Sequence, residues 1–237
     1  MRKCLVALAL CLAALPARAE DVELELVLMA DSSGSIDMAE ILFQRQGYAD
    51  AITDPRVLDT IAATAYGRIA VTYVEWAAAG AEAVIVPWTV VDGPETAAAF
   101  AEALMIPPRQ AFGRNAIGSA LLTGKRLIEE NDIEGWRKVI DFSGDSANNW
   151  NGPPIGEARA EVLAAGIVIN GLAVLCRSCN GPSDDDLVRR YEELIIGGPG
   201  AFVIAAEDAD SFGEAVIRKL ILEISGTMPT RDVAGAD

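Results

Sequence analysis

Residues 22–30 begin as an alternation of apolar positions with Glu23 and Glu25 and continue as the unbroken apolar run Leu26 to Ala30. This pattern predicts a strand, and the following residues 36–52 place their apolar positions at helical spacing. Residues 69–76 and 83–91 are rich in β-branched and aromatic side chains and are joined by a turn around Gly80, which predicts a hairpin. Helices are expected at about 94–104 and 116–130, a strand at 138–143, and a helix opened by Pro153-Pro154 and running to about 165. A strand at 166–174, a helix at 184–194, a strand at 201–205 and a helix at 208–223 complete the series. Such an alternation predicts an α/β fold: a mostly parallel, doubly wound sheet with helices on both faces and one antiparallel edge strand. The near-continuous apolar stretches at 26–30 and 167–174 suit strands buried on both faces at a parallel centre. Ligands of such sheets gather beyond the carboxyl ends of the strands, where Asp31 would lie.

At 237 residues with 51% apolar content, the chain can bury one sizeable core. We read three segments. Residues 1–19 form a signal peptide: Arg2 and Lys3 precede an apolar stretch from Cys4 to Leu15, followed by Pro16 and the cleavage pattern Ala17-Arg18-Ala19. Cys11 raises a lipoprotein alternative, but Leu10 stands where such signals want a small residue. Residues 20–225 are the folded domain, and 226–237 a flexible tail. Cleavage after Ala19 places the product in the periplasm or outside the cell, and no later apolar stretch is long enough to span a bilayer. It also removes Arg2, Lys3 and Arg18, taking the formal charge from −16 to −19. Nucleic acid is therefore excluded as a partner class, since duplex binding relies on basic side chains that neutralise phosphates.

Only Cys176 and Cys179 remain after cleavage. In an oxidising compartment this C-x-x-C is read as a structural disulfide, with a redox pair or half of a metal site as alternatives. Asn180-Gly181-Pro182 separates it from the next helix, unlike a thioredoxin-type motif at a helix N-terminus.

The candidate chemistry lies at strand exits. Asp31-Ser32-Ser33-Gly34-Ser35 follows the first strand and places one carboxylate and several hydroxyls in a turn. Positions i, i+2 and i+4 of a tight turn fold over one point, with Gly34 allowing close approach and the free N–H groups of the following helix holding anionic ligands. Oxygen donors of this kind suit hard cations; Mg²⁺ takes them at about 2.0–2.1 Å in near-octahedral geometry. Alone, the motif is also an ordinary turn and cap. Two further segments supply partners: the strand Lys138 to Phe142 ends in Ser143-Gly144-Asp145, and Gly113-Arg114-Asn115 opens a helix with an amide oxygen at Asn115.

From Val22 to about Ser225 the chain resembles the von Willebrand factor A-type domain, whose metal-ion-dependent adhesion site uses D-x-S-x-S, a Thr from a later loop and an Asp after the fourth strand. The run Ile140 to Asp145 with Asn148-Asn149 is similar to a bacterial exported subfamily of uncharacterised role. The resemblance implies metal ligation by Asp31, Ser33, Ser35 and Asp145, with Asn115 at the place of the family's Thr. It implies a divalent cation, Mg²⁺ first and Mn²⁺ or Ca²⁺ as alternatives, and a protein partner that presents a carboxylate to the metal. A binding module is thus expected, not an enzyme. The chain has no His, which removes Ser-His-Asp and H-E-x-x-H chemistry, and it lacks a phosphate-binding glycine loop. Metal-assisted hydrolysis and disulfide exchange are the competing classes. Asp141, inside a strand, calls for a buried partner. Glu75, Trp76 and Asn148-Asn149-Trp150-Asn151 are candidates for the rim, with Trp150 as a contact anchor or loop packing.

Overall fold

The computed structural model describes residues 20–175, 186–207 and 209–227. The expected leader, Cys176 and Cys179, and the tail beyond Thr227 lie outside the described residues.

In chain order the elements are β1 (Glu20–Asp31), α1 (Met38–Thr53), α2 (Pro55–Ala62), β2 (Ile69–Trp76), β3 (Ala83–Val91), α3 (Pro94–Met105), α4 (Ile117–Glu129), β4 (Ile133–Gly144), α5 (Ile155–Ala164), β5 (Val168–Val174), α6 (Leu187–Leu194), β6 (Val203–Ala206) and α7 (Ala209–Ser225). One sheet has the order β3-β2-β1-β4-β5-β6, parallel throughout except for the edge strand β3, which runs antiparallel to β2. The expected fold class holds, antiparallel edge included.

Side chains of a strand alternate between faces, so β1 serves two cores. Leu24, Leu26, Leu28 and Ala30 pack with Tyr48 and Ile52 of α1, Val57 and Ile61 of α2, Phe100 of α3 and Phe212 of α7. Val27 and Met29 point the other way, into a core shared with Ile117 and Leu121 of α4, Val162 of α5 and Tyr191 of α6. Both sets must be apolar, which explains the unbroken run at the end of β1.

One strand and one helix depart most from expectation. β4 begins at Ile133, five residues before the predicted start, because Glu20 and Val22 at the start of β1 pair with Ile133 and Gly135. Its polar start is matched by Glu25, which is fully buried and accepts from Gly135 N (2.8 Å) and Asn131 Nδ2 (2.7 Å). Helix α2 was not anticipated: Asp54 accepts from Arg56 N at 2.8 Å, and Pro55 occupies the first helical position.

Buried charges tie helices to the sheet. Asp141 of β4 pairs with Lys219 of α7 at 2.8 Å, and Lys219 also meets Glu223 at 2.5 Å, which supplies the partner that Asp141 needs. Burial pushes the Asp141 carboxyl up and that of Glu223 up to about 7, against the pull of Lys219. On α1, Arg45 donates from Nε to Glu75 Oε1 at 2.9 Å with both side chains buried. Its Nη2 donates to Glu75 Oε1 at 2.5 Å as well, and further N–H groups go to the carbonyls of Leu104 in the last turn of α3 and of Pro107 and Pro108 in the loop after it.

An arginine cannot shed its charge on losing its counter-ion. Glu75→Gln is therefore expected to destabilise the protein by about 3–5 kcal/mol, read from urea unfolding.

Candidate metal centre

Parallel pairing of β1 with β4 carries both strands to the same edge of the sheet, with Met29 opposite Phe142. Asp31 ends one strand and Asp145 follows the other, so the two carboxylates are neighbours although far apart in sequence. Gly144 makes the approach possible: a Cβ there would stand 2.9 Å from Asp31 Oδ2. The end of β4 is pinned by two aromatic donors, Trp76 Nε1 to Ser143 O at 3.2 Å and Tyr191 Oη to Gly144 O at 3.0 Å. Trp76 stacks on Phe142 with ring centroids 4.8 Å apart, and Phe142 lies 5.9 Å from Tyr191, so an aromatic floor lies under the site.

The turn after β1 folds back on itself. Ser32 N continues the sheet by donating to Trp76 O at 2.8 Å, and Ser33 N donates to Asp31 Oδ1 at 2.7 Å. The hydroxyls of Ser33 and Ser35 lie 3.3 Å apart. Ser35 and Asp31 lie close enough to the Asp145 carboxyl to act on its ionisation. The structure thus brings together Asp31, Ser33, Ser35 and Asp145. Asn115 stands on the adjoining loop, which is joined to the serine turn by Gly34 N to Gly113 O (2.8 Å) and Ser32 Oγ to Ala111 O (3.1 Å). Its side chain is buried, and Nδ2 has no hydrogen-bond partner. As oriented, the amide turns its unpaired atom into a donor; a half-turn exchanges nitrogen for a ligating oxygen at no change of shape.

Several expectations are corrected by this geometry. The demand for glycine falls on Gly113, with φ +116° and a Cβ that would meet that of Ala78 at 2.7 Å, whereas a Cβ at Gly34 would find only ordinary contact. The N-terminus of α1 is occupied by its own capping box: Glu40 N donates to Asp37 Oδ1 at 2.9 Å and Asp37 N to Glu40 Oε2 at 2.7 Å. Glu75 and Trp76 are buried, not at the rim. Asn149 and Asn151 staple the loop after β4, accepting from Gly118 N (3.2 Å) and Ala79 N (3.1 Å), and Asn148 accepts from Arg190 at 2.9 Å. Only Trp150 of that group presents a large exposed ring.

Arg109 was missed. Its Nη2 donates to Ser32 O (2.5 Å) and Ser33 O (3.0 Å), Nη1 to Ile36 O (3.0 Å) and Nε to Ala111 O (3.0 Å), so one guanidinium gathers the carbonyls of the serine turn. Its loop is itself held by the Arg45–Glu75 pair, with Gln110 N donating to Glu75 Oε2 at 3.2 Å. A lone arginine after Pro107-Pro108 carries no sequence signal for this role.

Over residues 21–228 the sequence matches the family described as "Protein of unknown function (DUF1194)". The chain belongs to that family. No curated protein matches it. Among solved structures, this DUF1194 chain is similar to the pilus adhesin SpaC from Lactobacillus rhamnosus GG (12% identity, TM-score 0.61, 86% of this chain and 31% of that one). It is also similar to a von Willebrand factor type A protein from Catenulispora acidiphila (16% identity, TM-score 0.57, 86% and 43%). A third is proximal thread matrix protein 1 from the mussel byssus, in a structure with a zinc-occupied MIDAS motif (16% identity, TM-score 0.59, 88% and 50%). The chain spans about a third to a half of the length of these proteins, and at such identities the likeness is one of fold: a von Willebrand factor A-type fold.

The donor set of the DUF1194 chain fits a hard divalent cation. Asp31 Oδ2 and Asp145 Oδ1 are buried without a hydrogen-bond partner, and among the described residues no Lys or Arg pairs with either carboxylate. Burial and the adjacent charge of Asp145 push the Asp31 carboxyl up to about 7, and burial raises Asp145 as well. The site stores uncompensated negative charge, the condition a cation relieves.

Because the folded protein holds the Asp31 proton more tightly than the unfolded chain, this group opposes folding increasingly as pH rises from about 4 to about 7. In chelator, Asp31→Asn should therefore melt at a higher temperature than wild type, by a margin that widens across this interval; a constant margin would count against the charge strain. Arg109→Ala should weaken divalent-cation binding about 10- to 100-fold in calorimetry, as loss of groups that orient ligands does.

Proposed function

We propose that this chain is an exported, metal-dependent protein-binding module and not an enzyme. Asp31, Ser33, Ser35 and Asp145 would hold the cation, with Asn115 as a further donor after an amide half-turn. The observation that carries the reading is the meeting of two carboxylates with unpaired, buried oxygens and two serine hydroxyls at the carboxyl edge of a parallel sheet. An all-oxygen set favours Mg²⁺, with Mn²⁺ and Ca²⁺ as alternatives. When bound, the cation supplies positive charge and a coordination position for a partner's carboxylate.

Two likenesses support the reading. A structure of the same fold carries a zinc-occupied MIDAS motif, and another belongs to a pilus adhesin. Export to the periplasm or beyond is supported by the basic, then apolar, then Ala-x-Ala pattern of residues 1–19. No helix among the described residues is long and apolar enough to cross a membrane.

Calorimetric titration of the mature protein with Mg²⁺, Mn²⁺ and Ca²⁺ tests the site. Asp31→Ala is expected to abolish binding while the circular dichroism spectrum stays that of the wild type, and to abolish any partner capture from the cell envelope that chelator also abolishes. Wild-type metal affinity in Asp31→Ala would overturn the reading, as would Mg²⁺-dependent ester or phosphate hydrolysis lost with the same substitution.

A further inference from the structure

Next to the metal centre the surface carries a pair that the fold does not require. The Trp150 side chain is 58% exposed, and the guanidinium of Arg114 lies 3.7 Å from its ring centroid. Both residues are fixed to the site through the main chain: Arg114 immediately precedes Asn115, and Trp150 N donates to Asn115 O at 2.8 Å.

The other arginines of this acidic chain mostly have internal work. Arg45 pairs with Glu75, Arg56 with Glu214, Arg126 with Glu130 and Arg189 with Glu193, while Arg109 is spent on backbone carbonyls. Arg114 is exposed and, among the described residues, has no carboxylate partner. In a chain with 35 acidic and 19 basic residues, an arginine without an internal acid at the mouth of the site is a cation available to an external anion. With its central carbon 3.7 Å from the indole centroid and no carboxylate partner among the described residues, the guanidinium keeps N–H groups available to grip a carboxylate in bidentate fashion. The pair is also ordered in advance, so little side-chain freedom is lost on binding.

We propose that Arg114, seated on Trp150, is a second anchor for the partner and that the partner is an acidic peptide segment with two nearby carboxylates. One carboxylate goes to the metal centre and the other to Arg114. This assignment rests on the metal-dependent reading above. The strong negative charge of the rest of the chain favours such a docking point only where local positive charge is concentrated, at the cation and at Arg114.

The test uses the mature protein in Mg²⁺ and two fluorescein-labelled peptides, one with two aspartates and one in which the second is asparagine. Anisotropy gives peptide affinity, and calorimetry gives Mg²⁺ affinity separately. Arg114→Ala should weaken the two-aspartate peptide about 10-fold or more, leave the one-aspartate peptide unchanged, and leave Mg²⁺ affinity at the wild-type value. Arg114→Lys should recover only part of the loss, and Trp150→Ala should mimic Arg114→Ala. Equal weakening of both peptides, no weakening of either, or failure of the wild type to bind the two-aspartate peptide would overturn the proposal. Arginine-dependent binding that persists in chelator would uphold the Arg114 anchor and sink the metal-dependent reading instead.

Discussion

The structure depends on one constraint: two carboxylates at the ends of adjacent parallel strands, brought together with no basic side chain among the described residues to neutralise them. The pairing of β1 with β4 is set by apolar burial on both faces of the sheet, so the core supplies the force that holds like charges in proximity. Elsewhere in the sheet and the helices against it, buried acids receive partners. Glu75 has Arg45, Asp141 and Glu223 share Lys219, and Glu25 accepts two hydrogen bonds from the loop and strand beside it. Asp31 and Asp145 stand apart from that pattern, so at their edge of the sheet like charge is held at a cost in stability.

Around that edge, positioning is done by arginines working on backbone carbonyls. Arg45 reaches from α1 to Leu104 in the last turn of α3 and to Pro108 in the loop that follows, and Arg109, next along that loop, reaches to the serine turn. The turn is therefore braced from outside its own hydrogen bonds. This arrangement suits a site whose donors are short side chains, since Ser33 and Ser35 can meet a common point only if their backbone is held.

Most of the fold was legible because both faces of the sheet are buried. Periodicity revealed the central strands, the hairpin of β2 and β3 matched its expected limits, and the D-x-S-x-S turn with Asp145 identified the converging strand exits. What stayed hidden depends on contacts made only in three dimensions. The first five residues of β4 are strand because β1 extends to meet them, not because of their own pattern. Helix α2 was overlooked although Asp54-Pro55 is a start signal, since at eight residues its apolar stripe of Val57, Leu58 and Ile61 covers little more than one turn. Arg109 has no local signature because its partners at the serine turn lie more than 70 positions away. Glu75 resembles a rim residue in sequence, at a strand end, and is buried because Arg45 lies on the helix above it.

Beneath the carboxylates, the packed rings of Trp76, Phe142 and Tyr191 form an apolar layer without dipoles free to reorient. Charge placed on top of such a layer is poorly screened from below, so its field lines spread toward the solvent side. The aromatic floor thus gives the site a direction: whatever potential develops there is felt by an approaching molecule more than by the protein's own interior.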